Sequence, residues 1–339
     1  MQSNIIEVSD LHKTYGKNVV AVDGISFSVR QGEIFGFLGP NGAGKSTTIK
    51  ILTTLLEKNS GKVTIDGFDV DKDQSQVRRI IGYSSQEVGV DDDLTARENL
   101  LLQCSFYHIP KEKAKAKVDE LLQTVRLADA ADRRLATFSG GMRKRLDLAS
   151  ALVSDPKVLF LDEPTTGLDP QSRKDVWDYI VKLNRKGMTI FLTTQYMEEA
   201  DILAQRLCIV DQGKIVSEGT PAELKAKVGA DKITLHFKAD DIAACDKARE
   251  LAEKIPGIED VGQCRDGLVS ENGLIITAKN GPAIVTQIVR TLDSEGVNIQ
   301  QLNLSAPTLD EVFLKLTGKT LNVIERKEAV GRGRRRRGP

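Results

Sequence analysis

The sequence predicts an α/β core carrying an antiparallel β subdomain and a helical insert, followed by a small α+β domain. Three observations lead to this reading. The run IFGFL, residues 34–38, opens through a glycine-rich turn into a stretch whose apolar residues recur at Ile49, Leu52, Leu55 and Leu56, which is strand, loop, helix. Short apolar runs at residues 158–161 and 189–193 have the length and continuity of strands buried on both faces. The composition changes after Leu224, and a chain of 339 residues exceeds what one growing core normally holds, so two domains are expected.

Residues 5–29 mix short apolar alternations with turn signals at residues 15–18 and at Asp23-Gly24, the pattern of antiparallel strands. Residues 63–70, with Asp66-Gly67, read as a further hairpin. From Thr95 to Leu127 the period becomes helical, with Val118, Leu121, Leu122 and Val125 forming an apolar stripe. A helix over about 171–185 links the two later strands by a right-handed crossover. Residues 231–316 can be read as strand, helix, strand, strand, helix, strand, the order of a ferredoxin-like domain.

With 40% hydrophobic and 28% charged residues the chain has the balance of an ordinary globular protein. No apolar run approaches the roughly 18–20 residues of a membrane-spanning helix. The start, MQSNIIEVSD, lacks the pattern of a secretory signal, so a cytoplasmic location is expected. Cys104, Cys208, Cys245 and Cys264 form no CxxC pair, and are expected to be reduced, semi-buried thiols. The run GRGRRRRGP at 331–339 holds five Arg; setting it aside leaves 43 basic against 48 acidic residues, a body of net charge −5. That tail is read as a solvated end or as a patch attracted to anionic lipid headgroups. No nucleic acid is expected as a partner, because the body offers no basic face interleaved with aromatics.

GPNGAGKST, comprising Gly39, Pro40, Asn41, Gly42, Ala43, Gly44, Lys45, Ser46 and Thr47, fits G-x-x-x-x-G-K-[ST] between a strand and a helix. Its backbone N–H groups would cradle phosphates at the positive end of the new helix. Lys45 supplies a mobile charge for the β and γ phosphates, and the Ser46 hydroxyl can ligate Mg2+. This makes the core a P-loop NTPase that binds ATP with Mg2+. VLFLDE, residues 158–163, is an apolar strand ending in two acids: Asp162 suits direct or second-sphere Mg2+ binding and Glu163 suits a general base.

Phe138-Ser139-Gly140-Gly141-Met142 precedes an Arg-rich helical stretch, and here the chain resembles the ATP-binding cassette (ABC) family, whose signature is LSGGQ, over about residues 5–224. The resemblance implies an ABC ATPase in which Ser139, Gly140 and Gly141 contact the γ phosphate of ATP held by a partner cassette. It also implies that Tyr15 stacks on adenine and that Gln86 senses Mg2+ and the membrane partner. Asp169, in Gly167-Leu168-Asp169, would face the opposite site of a dimer. Phe138 and Met142 depart from the signature, and Gln195 stands where the family has its switch histidine. An amide can hydrogen-bond a γ phosphate but carries no proton at neutral pH. Gln195 is therefore assigned as a γ-phosphate sensor, which shifts the catalytic role toward Glu163 alongside Lys45.

APTLDEVFL, residues 306–314, together with SGGM and TTQYMEEAD, resembles the drug-resistance export branch typified by daunorubicin resistance ATP-binding proteins. The same segment can equally be an amphipathic helix closing the small domain. The expected organisation is an ATP-binding cassette over 1–225 with its helical insert at about 90–155, a ferredoxin-like accessory domain over 230–320 and a basic tail over 321–339. One phosphate loop and one signature per chain imply a head-to-tail homodimer. The branch implies a separate transmembrane permease that moves drugs, antibiotics or other lipophilic compounds out, with the cassette peripheral on the cytoplasmic membrane surface. ABC ATPases acting on ribosomes or DNA would carry two cassettes or long coiled coils, and a non-hydrolytic regulator would lack Glu163 or Lys45; the sequence fits neither.

Overall fold

The computed structural model describes residues 3–16, 18–87, 89–227, 229, 231–238, 241–263 and 273–318. Cys264 and the arginine run at 331–339 lie outside the described residues. The described chain falls into two compact units, one within Met1–Pro221 and one spanning Ala222–Gly318.

The larger unit begins β1 (Asn4–Tyr15), β2 (Val19–Arg30), β3 (Ile34–Leu38), α1 (Lys45–Leu52), β4 (Ser60–Ile65), β5 (Phe68–Asp69), α2 (Gln74–Ile80) and β6 (Ile81–Ser84). Three helices follow, α3 (Ala96–Phe106), α4 (Lys111–Thr124) and α5 (Gly140–Ala151). The unit then continues as β7 (Val158–Asp162), α6 (Pro170–Arg185), β8 (Thr189–Thr194), α7 (Met197–Leu203), β9 (Arg206–Asp211) and β10 (Lys214–Gly219). Strands β2-β1-β4-β5 form an antiparallel sheet, and the hairpin between β4 and β5 turns at Asp66 and Gly67, both with positive φ. The central sheet has the order β10-β9-β3-β8-β7-β6, parallel throughout except for the β9–β10 pair.

Alternation along the parallel strands builds two cores at once. Phe35, Phe37, Val158, Phe160 and Phe191 face the antiparallel sheet and α1, whereas Leu159, Leu161, Ile190 and Leu192 face α3, α4, α5 and α6. Each strand is therefore buried on every residue, which is why β3, β7 and β8 carry continuous apolar runs such as IFGFL, VLFL and IFL. Rings of Phe27, Phe35, Phe37, Phe160 and Phe191 interlock with centroids 5.4–5.9 Å apart. Cys104, Cys208 and Cys245 are buried rather than semi-buried, free thiols that pack as small apolar side chains. No described helix is long and apolar enough to cross a membrane.

The chain enters the second unit within α8 (Pro221–Ala226) and continues through β11 (Asp231–His236), α9 (Ile242–Ala252), β12 (Ile258–Gln263), β13 (Gly273–Ala278), α10 (Gly281–Ser294), β14 (Gln301–Ser305) and α11 (Leu309–Thr317). Its sheet runs β12-β13-β11-β14 with every neighbour antiparallel. Cys245, Ala248 and Ala252 of α9 and Ile284, Ile288 and Leu292 of α10 supply stripes at helical spacing to one core with Ile233, Leu235, Leu274 and Ile276. A Thr308–Glu311 capping box starts α11, and Gly318 at φ 70° ends it.

Phe191 is fully buried and touches four other rings of the cluster. Phe191→Ala is expected to cost about 3–5 kcal/mol, read as a lower urea midpoint for the larger unit. A shift under about 1 kcal/mol would mean that the ring cluster is not what joins the two sheets.

Candidate functional site

Strand β3 ends at Leu38 and the chain turns through Gly39 to Gly44 into α1. Two glycines make that turn possible: a Cβ at Gly39 would lie 2.3 Å from the Val210 carbonyl oxygen, and Gly44 sits at φ +101° with its Cβ position 2.3 Å from the Ala21 carbonyl oxygen. Gly44 caps α1 without a side-chain hydrogen bond. Lys45, the first helical residue, is buried and donates to the carbonyl oxygens of Gly39 at 2.9 Å and Pro40 at 3.1 Å.

Register brings the rest to the same edge. Leu38 pairs with Thr194 and Thr193 with Asp162, so the C-terminal ends of β3, β8 and β7 lie side by side. Lys45 Nζ is 3.2 Å from Glu163 Oε1, an ion pair with both partners about 95% buried. Asp162 Oδ1 accepts from Ser46 Oγ at 3.2 Å and from Thr193 Oγ1 at 2.6 Å. The two acids do not leave the strand alike. Asp162 is its last residue, whereas Glu163 adopts φ 49°, with its N–H bonded to Thr193 Oγ1 at 3.1 Å and its Oε2 accepting from Thr166 Oγ1 at 3.2 Å. A non-glycine residue in the left-handed region is strained and persists only where its surroundings hold it. That strain turns Glu163 toward the lysine.

Gln195 follows Thr194, whose carbonyl accepts from the Gly39 N–H at 3.2 Å, and so begins where β8 meets the glycine loop. Gln86 is exposed, two residues beyond β6, whose Ser84 pairs with Leu161 next to Asp162. Tyr15 is 42% exposed, its hydroxyl 3.4 Å from Thr47 Oγ1 and the Lys13 ammonium 5.5 Å from its ring centre.

Ser139 caps α5, accepting from the Met142 N–H at 3.3 Å, and Ser139 and Gly140 are exposed. A Cβ at Gly141 would meet Ser172 Oγ at 2.4 Å, and one at Gly140 would sit 3.6 Å from Leu168 Cδ2. The signature thus leans on the loop of its own chain that carries Asp169. Asp169 caps α6 through its Oδ1, which accepts from the Ser172 N–H at 3.0 Å; the bonds to Ser172 hold its carboxyl below the usual range. Phe138 is buried in the helical core beneath the Arg133 guanidinium, and Met142 packs against the same core. The two departures from the signature therefore fall on packing positions.

Several polar residues at this edge escaped the sequence reading. Thr193 and Thr166 hold the two acids, and Glu199, fully buried in α7, accepts from Thr165 Oγ1 at 2.7 Å and from Trp177 Nε1 at 2.9 Å. The one signal for Thr193 was the pair of threonines that follows the apolar IFL. Glu199 was hidden because one acid among three in MEEAD looks like surface charge.

A glycine loop at the end of a central parallel strand, with a lysine, two acids and a serine gathered on it, defines a P-loop ATPase of the cassette type. The ABC transporter family model matches residues 22–166, and the model for the C-terminal domain of DrrA1-3-like ATP-binding proteins matches residues 219–317. The chain is 40% identical to the daunorubicin resistance ATP-binding protein DrrA2 of Streptomyces coeruleorubidus, over 97% of this chain and all of that one. It is 36% identical to the linearmycin resistance ATP-binding protein LnrL of Bacillus subtilis, over 94% and 99% of the two chains. A dimeric post-hydrolysis ATP-binding cassette bound to ADP and Pi superposes with TM-score 0.58 at 27% identity, covering 63% of this chain and 98% of that structure. The chain belongs to the ATP-hydrolysing subunits of ABC transporters, in the drug-resistance branch that these DrrA-type proteins form.

Burial pushes the Glu199 carboxyl upward. Its folded form therefore binds a proton more tightly than the unfolded chain does, and its contribution to stability is full below the ordinary carboxylate range and is lost as pH rises through the raised value. Glu199→Gln keeps an acceptor for Thr165 and Trp177 and cannot ionise. Thermal scans at rising pH, starting in the ordinary carboxylate range, are expected to show the variant losing less stability than wild type. Identical pH slopes would refute a proton on Glu199.

Proposed function

We propose that this chain works as a head-to-tail homodimer that binds two ATP between its copies, hydrolyses them, and drives a separate membrane permease. The observation that carries the reading is the convergence of Lys45, Glu163, Asp162 and Ser46 on one loop, in a chain that holds a single Ser139-Gly140-Gly141 cap, exposed at Ser139 and Gly140. One copy supplies the phosphate loop and the other supplies the α5 N-terminus, so each pocket is completed only by pairing. A solved relative supports the arrangement: the ADP- and Pi-bound cassette is dimeric.

The residues fit Mg2+. A serine hydroxyl and a carboxylate already in contact form a small all-oxygen donor set, the kind that shares this ion with nucleotide phosphates. Ser46 and Asp162 would hold it, with Gln86 reaching the same edge, and when bound it neutralises charge building up on the phosphates. Lys45 holds the β and γ oxygens. A bound phosphate competes with Gly39, Pro40 and Glu163 for the donors of Lys45, and a carboxylate freed from its cation is the stronger base. Glu163 then takes the proton of the attacking water as its oxygen bonds to the γ phosphorus and the bond to ADP breaks. Gln195 donates from its amide to the γ phosphate, and Tyr15 stacks on the base. Asp169 faces the opposite pocket.

A groove of about 420 Å3 lined by Leu55, Tyr83, Ser85, Gln103, Tyr107 and Asp147 lies beside the Gln86 segment, and Leu55, Phe106 and Tyr107 are exposed on this unit. Exposed apolar surface beside the site suits a permease segment. Closure around ATP would pull on that segment, and loss of the γ phosphate would release it. The names of the relatives favour daunorubicin-like and other lipophilic antibiotics as the exported class, with the cassette held at the cytoplasmic face of the membrane.

Glu163→Gln is expected to keep ATP binding and lose turnover by about 10²–10⁴-fold, measured by phosphate release; wild-type turnover would remove Glu163 as the base. Gln195→His should stay active. Mixing Ser139→Ala with Lys45→Ala should restore the activity of one repaired pocket, and no recovery, with ATP leaving the protein monomeric, would end the composite-site reading.

A further inference from the structure

Asp147 and Lys144 lie on α5, the helix that Ser139 caps, and both are over nine-tenths buried. They stand outside the phosphate edge. The Asp147 carboxylate divides its oxygens: Oδ2 accepts from Ser84 Oγ at 2.5 Å, where β6 ends, and Oδ1 accepts from the Gly89 N–H at 3.2 Å. Lys144 Nζ donates to the Ser85 carbonyl at 2.7 Å and lies 3.4 Å from Asp147 Oδ2. One carboxylate therefore bridges both ends of the segment that carries Gln86, and one ammonium holds its shoulder. Burying a carboxylate and an ammonium is costly unless each is paired and bonded, so a contact of this kind is kept for geometry rather than for net stability.

We propose that Asp147 and Lys144 are positioning residues that clasp Ser84, Ser85 and Gly89 to α5, so that Gln86 and the Ser139 cap at the head of the same helix move as one body. The proposal rests on the role given to Gln86 above. Its consequence is communication between pockets, because in the dimer the cap serves the partner's nucleotide while Gln86 serves its own. A shift of α5 on the partner's γ phosphate moves Gln86 relative to the Mg2+ edge through three hydrogen bonds. Burial, then the charges of Asp162 and Asp147, push the Tyr83 hydroxyl up to about 12.

The test compares Asp147→Ala, Asp147→Asn, Gln86→Ala and the double variant Lys144→Met/Asp147→Leu in the full-length protein. The double variant strands no buried ammonium and keeps the experiment readable if Asp147→Ala folds poorly. An asparagine still accepts from Gly89 and can donate to Ser84, whose hydroxyl reverses. The expected result is that Asp147→Ala and the double variant raise the Mg2+ concentration for half-maximal ATPase about tenfold and speed hydrogen exchange at the Gly89 amide about tenfold, the loss of one charge-assisted bond. Asp147→Asn should stay within about twofold of wild type. Unchanged exchange and Mg2+ dependence in Asp147→Ala and the double variant overturn the clasp, as does an Asp147→Asn protein as defective as Asp147→Ala. If Gln86→Ala leaves the Mg2+ dependence untouched, it is the Gln86 role that fails, and exchange at Gly89 alone decides whether the clasp stands.

Discussion

The parallel register of β3, β8 and β7 is the constraint from which the rest of the molecule follows. It places Leu38, Thr194 and Asp162 at one edge, where Lys45, Ser46 and Glu163 gather. Lys45 and Glu163 come from chain segments more than a hundred residues apart, yet meet at 3.2 Å because adjacent strands end together. The phenylalanine cluster beneath the sheet and the helices above it keep those ends from sliding, since a slip of one residue would turn Phe191 out of one core and Leu192 out of the other.

Buried polar groups make up a second framework laid over the apolar one. Thr193 bonds both acids, Thr165 and Trp177 share Glu199, and Asp147 with Lys144 holds the Gln86 segment. In a low-dielectric interior such groups are expensive when unpaired and rigid when satisfied. They are concentrated where loops must be held in defined positions without forming regular structure. Residues 85–87 and 163–169 are both segments of this kind, and both lie against the helix that starts at Ser139, one through Lys144 and the other through Leu168. The cassette thereby joins its nucleotide edge to its signature through side chains on neither motif.

The departures from the family pattern separate packing from chemistry. Phe138 fills the helical core, so a phenylalanine in place of leucine alters volume and leaves the backbone of Ser139, Gly140 and Gly141 in place. Met142 contributes its backbone N–H to the cap, which any residue but proline can do. Gln195 is different in kind. It replaces a group that can carry a proton with one that cannot, so under the proposed function proton transfer is given to Glu163, the carboxyl that lies against Lys45 and accepts from Thr166.

Local rules were enough for whatever depends on residues near one another in the chain. A glycine loop after an apolar run and before a helix, two acids at a strand end, and the SGGM segment named the chemistry and the family, and stripes at helical spacing marked α1 and α4. Strand β6, helix α2 and the pair β9–β10 escaped that reading, because short segments without clear periodicity become regular only when a sheet edge receives them. The same holds for Glu199, Asp147, Lys144 and the threonines that orient the acids: nothing in their neighbours along the chain separates a buried polar residue from a solvated one. Only the packing of distant strands and helices decides which carboxylates lose their water. That is also why Asp162 remains in line with its strand while Glu163, one residue on, turns away from it.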